Sequence, residues 1–164
     1  MASPHITPLL LLAISSLCLP PSSSAHASKV TLSLYYETLC PYCSNFMVNY
    51  LPKIFEKGLS SIVDIELVPY GNARVGSNGS IACQHGAYEC LLNTVEACAI
   101  ATWPNVQEHF KFIFCVEQLV YVHKYTDWES CFQTTVADSR AVVDCYNSGY
   151  GQKAVMSRAS RGRS

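Results

Sequence analysis

The sequence predicts an α/β domain in which a strand–helix–strand unit precedes a cysteine-rich helical region. Three observations carry that expectation. Val30, Leu32, Leu34 and Tyr36 alternate with Thr31, Ser33, Tyr35 and Glu37, the period of a strand over Val30–Glu37. Phe46, Met47, Tyr50, Leu51, Ile54 and Phe55 recur at helical spacing, and Val63, Ile65 and Leu67 then alternate with Asp64 and Glu66 in a second strand, Val63–Val68. Beyond Ala82 the strand period does not return, and apolar residues and cysteines follow the helical period instead. Strand, helix, strand over so short a stretch implies parallel strands joined by a right-handed crossover.

Each element has its own signals. Residues 1–27 are expected to be a secretory signal peptide: an apolar run from Leu9 to Leu19, then Pro20, Pro21 and serines, then Ala25-His26-Ala27 before Ser28. The run is too short to span a bilayer, and no Lys or Arg precedes it. In the first helix Pro52 should kink the pattern, and Lys57-Gly58 should end it. Pro69-Tyr70-Gly71 closes the second strand, and Asn72–Ala82, rich in Gly, Ser and Asn, is expected to be a loop. Within it Asn78-Gly79-Ser80 is a glycosylation acceptor triplet. Ala87, Cys90, Leu91, Thr94, Ala97, Cys98 and Ala101 share one helical face that Trp103-Pro104 should terminate. Val106, His109, Phe110, Ile113, Glu117 and Val120 form the stripe of the next helix. Thr126 and Glu129 match a capping box for a short helix carrying Trp128, Cys131 and Phe132. Asp138 is a candidate cap for a helix carrying Val142, Cys145 and Tyr146, which Asn147-Ser148-Gly149 should stop. The domain is therefore expected over 28–150, with 151–164 a basic disordered tail, since the tail has little apolar surface to offset ordering entropy.

Composition narrows the function. The chain has 164 residues and a formal net charge of −1, so no strong field points to nucleic acid. No segment after the leader is apolar enough to suggest a membrane span. Of nine cysteines, Cys18 falls in the leader. Cys40, Cys43, Cys83, Cys90, Cys98, Cys115, Cys131 and Cys145 remain, an even set that suits a secreted, disulfide-bearing chain.

Cys40-Pro41-Tyr42-Cys43 stands at the strand-to-helix junction. Free N–H groups and the macrodipole at a helix start stabilise a thiolate there, and proline fits the first helical position. Cys43 lies on the same helical face as Cys40, so one sulfur can attack while the other waits behind it. That arrangement suits thiol–disulfide exchange, with Cys40 attacking a substrate disulfide and Cys43 resolving the mixed disulfide. Tyr42 is a neighbour suited to substrate contact, and Glu37 and His85 are candidates for tuning the thiols. Structural zinc would need a second ligand pair, and only Cys83, His85 and Cys90 offer one, at irregular spacing. A purely structural role for both cysteines explains neither Pro41 nor the position at the junction. An eight-cysteine lipid carrier would show adjacent Cys-Cys and Cys-x-Cys pairs, which are absent.

Cys83-Gln84-His85-Gly86, then Glu89-Cys90, Asn93 and Cys98, resembles the signature of the gamma-interferon-inducible lysosomal thiol reductase family at every fixed position. The stretches Leu34–Cys43 and Val68–Ala73 look like that family's active-site strand and second strand, and the resemblance spans Lys29–Gly151. It implies a thioredoxin-like domain with a helical, cysteine-rich insertion at about 83–147. It further implies a reductase of protein disulfides, reset by an external thiol, with Cys40 as nucleophile and Cys43 as resolving thiol and no cofactor or metal. The compartment implied is the secretory route, ending in a lysosome or vacuole or outside the cell. Cys83, Cys90, Cys98, Cys115, Cys131 and Cys145 are structural disulfide candidates whose pairing spacing leaves open. The family pattern continues with a strand near a cis-proline, a hairpin partner and a last helix. No proline follows Pro104, so the C-terminal strands of the fold are expected to be missing. The competing expectation is a disulfide-stapled secreted protein without catalysis.

Overall fold

Parallel pairing of β1 (Val30–Tyr36) with β2 (Val63–Pro69) forms the small sheet on which the rest of the chain is built. The computed structural model describes residues 28–161; the expected leader, 1–27, lies outside them. Leu32 faces Ile65 and Leu34 faces Leu67 in the register, so the alternating apolar residues of both strands share one face. That face is covered progressively: Val30 and Leu32 are exposed, Leu34 is half-buried and Tyr36 is fully buried. Between the strands run α1 (Pro41–Asn49) and α2 (Pro52–Glu56). Pro52 has no N–H to continue the ladder, so the helix breaks and restarts, while Leu51 stays helical at φ −60° and ψ −38°. Gly58 follows with φ +69°, the left-handed turn expected of it.

The helical region is α3 (Ala87–Thr102), α4 (Val106–Tyr121), a 3-10 segment at Tyr125–Thr134, α5 (Ser139–Asn147) and α6 (Tyr150–Arg161). Trp103 closes α3 as expected, and Asn105 caps α4 by accepting from the Gln107 N–H. Asp138 caps α5 through the Arg140 N–H. The main core joins Tyr36 and Leu67 of the sheet to Met47 and Leu51, and to Leu92 and Val95 of α3 and Phe112, Ile113 and Val116 of α4. Full burial of each large side chain there stabilises the fold by about 1.5–3 kcal/mol before ordering costs. Phe55 of α2 packs tilted against Phe110 of α4, ring centroids 4.8 Å apart, which ties the crossover to the helical region.

Three expectations are corrected. Asn72–Ala82 is not wholly loop: β3 (Arg74–Val75) and β4 (Ile81–Ala82) pair antiparallel, closed by the Gly76 N–H to Ser80 carbonyl bond and by Gly79 at φ +79°. Thr126 and Glu129 make no capping box. The 3-10 segment already begins at Tyr125 and has no side-chain cap, and the contact of Tyr88 with Tyr125 places it. The tail expected to be disordered is α6. Its few apolar residues suffice because Gly151 lets it lie close against Thr94 and Cys98 of α3, and Val155 is buried with Val68 and Ala97. Among the described residues the parallel sheet has two strands, and no helix is long and apolar enough to cross a membrane.

Candidate active site

Cys40 is the N-cap of α1, with extended backbone at φ −75° and ψ 120°, and Pro41 opens the helix. The Cys40 carbonyl accepts the Ser44 N–H at 3.0 Å, and the Cys40 N–H donates to the Glu37 carbonyl at 3.1 Å. Both thiols are half-buried and are the free cysteines of the described residues. They are unequal. Burial above all, opposed by a hydrogen bond from the Glu37 backbone and reinforced by the adjacent Cys40, pushes the Cys43 thiol up to about 12. Cys43 therefore stays protonated at rest, while Cys40 occupies the anion-favouring end of the helix. Tyr42 points to solvent at 86% exposure.

The loop between β1 and Cys40 is held by residues far away in sequence. Glu37 is buried and accepts the Asn72 N–H, and Gly71, at φ +48°, leaves room where a Cβ would collide with the Glu37 side chain. His85 Nδ1 lies 2.5 Å from Glu89 Oε2 and 3.4 Å from Glu37 Oε2, and the His85 backbone N–H also donates to Glu89. Gln84 accepts from the Asn72 side chain at 2.9 Å. The Thr38 N–H donates to Asn93 Oδ1 at 3.1 Å, and its hydroxyl to the Glu89 carbonyl. Gly86, at φ +95°, supplies the turn into α3. Cys83–Cys90, Cys98–Cys145 and Cys115–Cys131 are disulfides, so Cys83 and Cys90 are not available to zinc. Glu37, His85 and Glu89 bring one ligand atom each within 4.8 Å of one another, the set of described residues that could hold a metal ion. In this structure the imidazole is hydrogen-bonded to Glu89, with the Glu37 carboxyl 3.4 Å from the same ring nitrogen.

The profile of the family described as gamma interferon inducible lysosomal thiol reductase matches residues 31–135. The chain belongs to that family. It is 42% identical over 135 residues to the gamma-interferon-responsive lysosomal thiol protein of Arabidopsis thaliana, covering 82% of this chain and 55% of that one. It is 41% identical over 136 residues to the gamma-interferon-inducible lysosomal thiol reductase of Carassius auratus, covering 78% of this chain and 51% of the relative. The mouse protein of the same name is 41% identical over 106 residues, 62% of this chain and 39% of the relative. The chain thus spans about half the length of the curated relatives it matches. In this family member, Gln84, His85, Glu89 and Asn93 of the signature form the clamp on Glu37, Thr38 and Asn72. Of its cysteines, Cys83 and Cys90 bridge each other and Cys98 bridges to Cys145.

Two features of the site went unassigned in the sequence. A cleft of about 570 Å3 opens at the start of α1, lined by Leu39, Pro41 and Ser44 together with His85, Val120 and His123. Glu96 of α3 and Glu117 of α4 are wholly buried, and the Tyr36 hydroxyl donates to Glu96 Oε2 at 2.5 Å. Burial raises Glu96 to about 8, opposed by the Tyr36 hydrogen bond; burial first, then the neighbouring Glu96 and Cys40, holds Glu117 well above the carboxylate range. The one available signal was Glu117 itself, an acid inside an apolar stripe.

Proposed function

We propose that the chain is a thiol reductase that cleaves protein disulfides by exchange through Cys40 and Cys43. The observation that carries the reading is the unpaired state of these two cysteines at the start of α1, while the other six described cysteines are bridged. Cys40 thiolate attacks one sulfur of the substrate disulfide and expels the other as a thiol after protonation. Cys43 then attacks Cys40 Sγ, the mixed disulfide breaks, and the second substrate thiol leaves; two electrons pass from the dithiol to the substrate. An external thiol reduces the Cys40–Cys43 disulfide and completes the cycle. The relatives' names and the expected leader support a secretory route to an acidic, lysosome-like compartment or the exterior. Asn78, exposed in the β3–β4 turn, is the proposed glycan acceptor. Glycosidase treatment of protein from a secretory host should then increase gel mobility.

The test of the dithiol is a trap. Cys43→Ser should accumulate mixed disulfides with a disulfide-bearing protein, and Cys40→Ser should not. Non-reducing electrophoresis reads both, and equal trapping by the two variants would remove the assignment.

A further inference from the structure

We propose that Asn93 is a positioning residue for the exchange at Cys40: by holding Thr38 it fixes the turn that delivers Cys40 to the start of α1, and so sets the rate at which Cys40 attacks. The inference rests on the dithiol reading. Glu37, Thr38, Leu39 and Cys40 form a tight turn after β1, closed by the Cys40 N–H donating to the Glu37 carbonyl at 3.1 Å. Thr38, at the corner of the turn, is fully buried. Its N–H donates to Asn93 Oδ1 at 3.1 Å, and its hydroxyl donates to the Glu89 carbonyl at 3.4 Å. Both acceptors belong to α3, 55 and 51 residues further along the chain.

Packing alone does not account for Asn93. It lies in the interior of α3 with 2% of its surface exposed. Asparagine is a weak helix former, and a buried amide costs stability unless its polar atoms are paired. Asn93 Nδ2 has no partner among the described residues. An apolar side chain of similar size would fill the same place without that unpaired donor. What such a side chain lacks is the acceptor for Thr38.

The hold on Thr38 reaches the sulfur through short links. Leu39 alone separates Thr38 from Cys40. Cys40 is the N-cap of α1, with φ −75° and ψ 120°. From that position a thiolate meets the free N–H groups and the positive end of the helix, so its stabilisation depends on the cap backbone staying where it is. The first residue of the turn is held separately, since the Glu37 carboxyl accepts the Asn72 N–H. Without the Asn93 acceptor the corner keeps only the longer hydroxyl bond to Glu89, and Cys40 is free to leave the cap geometry.

The test reads Cys40 alone, in the full chain carrying Cys43→Ser, by its rate of alkylation with iodoacetamide. Adding Asn93→Leu should slow that rate by about 10-fold, the size of a partly buried anion's interaction with a helix terminus. Asn93→Asp keeps an acceptor oxygen at the same reach and should recover most of the rate. The sign separates positioning from a purely structural role: a substitution that only loosened the fold would expose Cys40 and speed its alkylation, and urea unfolding reads such loosening independently. A rate in Asn93→Leu equal to or above that of the parent, or no recovery in Asn93→Asp, would overturn the inference. In the wild-type protein the Thr38 amide should exchange with solvent deuterium as slowly as the buried amides of α3. Fast exchange at Thr38 would also overturn it, and this measurement stands even if the variants fold poorly. Failure of the Cys43→Ser parent to trap any disulfide-bearing protein would instead remove the dithiol reading, and this inference with it.

Discussion

Glu96 joins a carboxyl to the hydroxyl of Tyr36 in the centre of the molecule, and burial there has a consequence for stability. Its folded value of about 8 stands above the ordinary 4.5. Between those two values the folded state holds a proton that the unfolded chain has released, so unfolding loses a proton and stability falls as pH rises. The stabilisation is complete below about 4.5 and gone above about 8, a window whose upper edge Glu117 pushes in the same direction. The expected outcome is a protein more stable at pH 5 than at pH 8, by an amount on the order of a few kcal/mol. Urea unfolding across that range measures it, and Glu96→Gln should flatten the slope. A wild-type midpoint unchanged between the two pH values would mean that the carboxyl ionises freely in the folded protein.

Among the elements, α6 shows where sequence reasoning stops. The β1–α1–β2 unit was legible because its signals are local: alternation in each strand, helical spacing between them, and a proline and a glycine as punctuation. The position of Cys40 and Cys43 at the start of α1 was legible for the same reason, since it follows from a four-residue spacing at a junction. α6 depends on a neighbour. Gly151 permits the helix to touch α3, and Val155 completes a small apolar cluster with Val68 and Ala97, none of which shows in the composition of the tail. The Glu37–His85–Glu89 contacts were hidden likewise, because residues 37 and 85 meet only once α3 has packed on the sheet. The packing of α6 gives a direct test. A Cβ at Gly151 would lie 2.5 Å from Cys98 Sγ and 2.8 Å from Thr94 Cγ2. Gly151→Leu should force the helix away and cost about 1–3 kcal/mol, in the range of overpacked cores. Thermal unfolding with and without the substitution reads it, and identical midpoints would show that α6 is not seated on α3.

Over the whole molecule the disulfides and the dithiol are segregated. Among the described residues, the β1–α1–β2 unit carries the free thiols and no bridge, while all three bridges lie from Cys83 onward. Cys98–Cys145 fastens α3 to α5 across 47 residues, Cys115–Cys131 fastens α4 to the 3-10 segment across 16, and Cys83–Cys90 closes only 7. The proposed exchange requires that the chain's own bridges be kept from exchanging, and burial does that unevenly. Cys98 and Cys131 are fully buried, so two of the bridges offer an external thiol a single partly exposed sulfur, Cys145 or Cys115. Cys83 and Cys90 are both partly exposed. Graded reduction followed by alkylation and mass mapping should label Cys40 and Cys43 first and Cys83 and Cys90 next. Cys98, Cys145, Cys115 and Cys131 should be labelled last. The same geometry orders the stability effects. Loop-closure entropy assigns about 4 kcal/mol to the Cys98–Cys145 bridge and about 2 kcal/mol to Cys83–Cys90. The paired substitution Cys98→Ala with Cys145→Ala should therefore lower the urea midpoint more than Cys83→Ala with Cys90→Ala. The reverse order would place the weight of the fold on the short loop that presents His85 to Glu37, and would make the clamp rather than the helical pair the element that holds the molecule together.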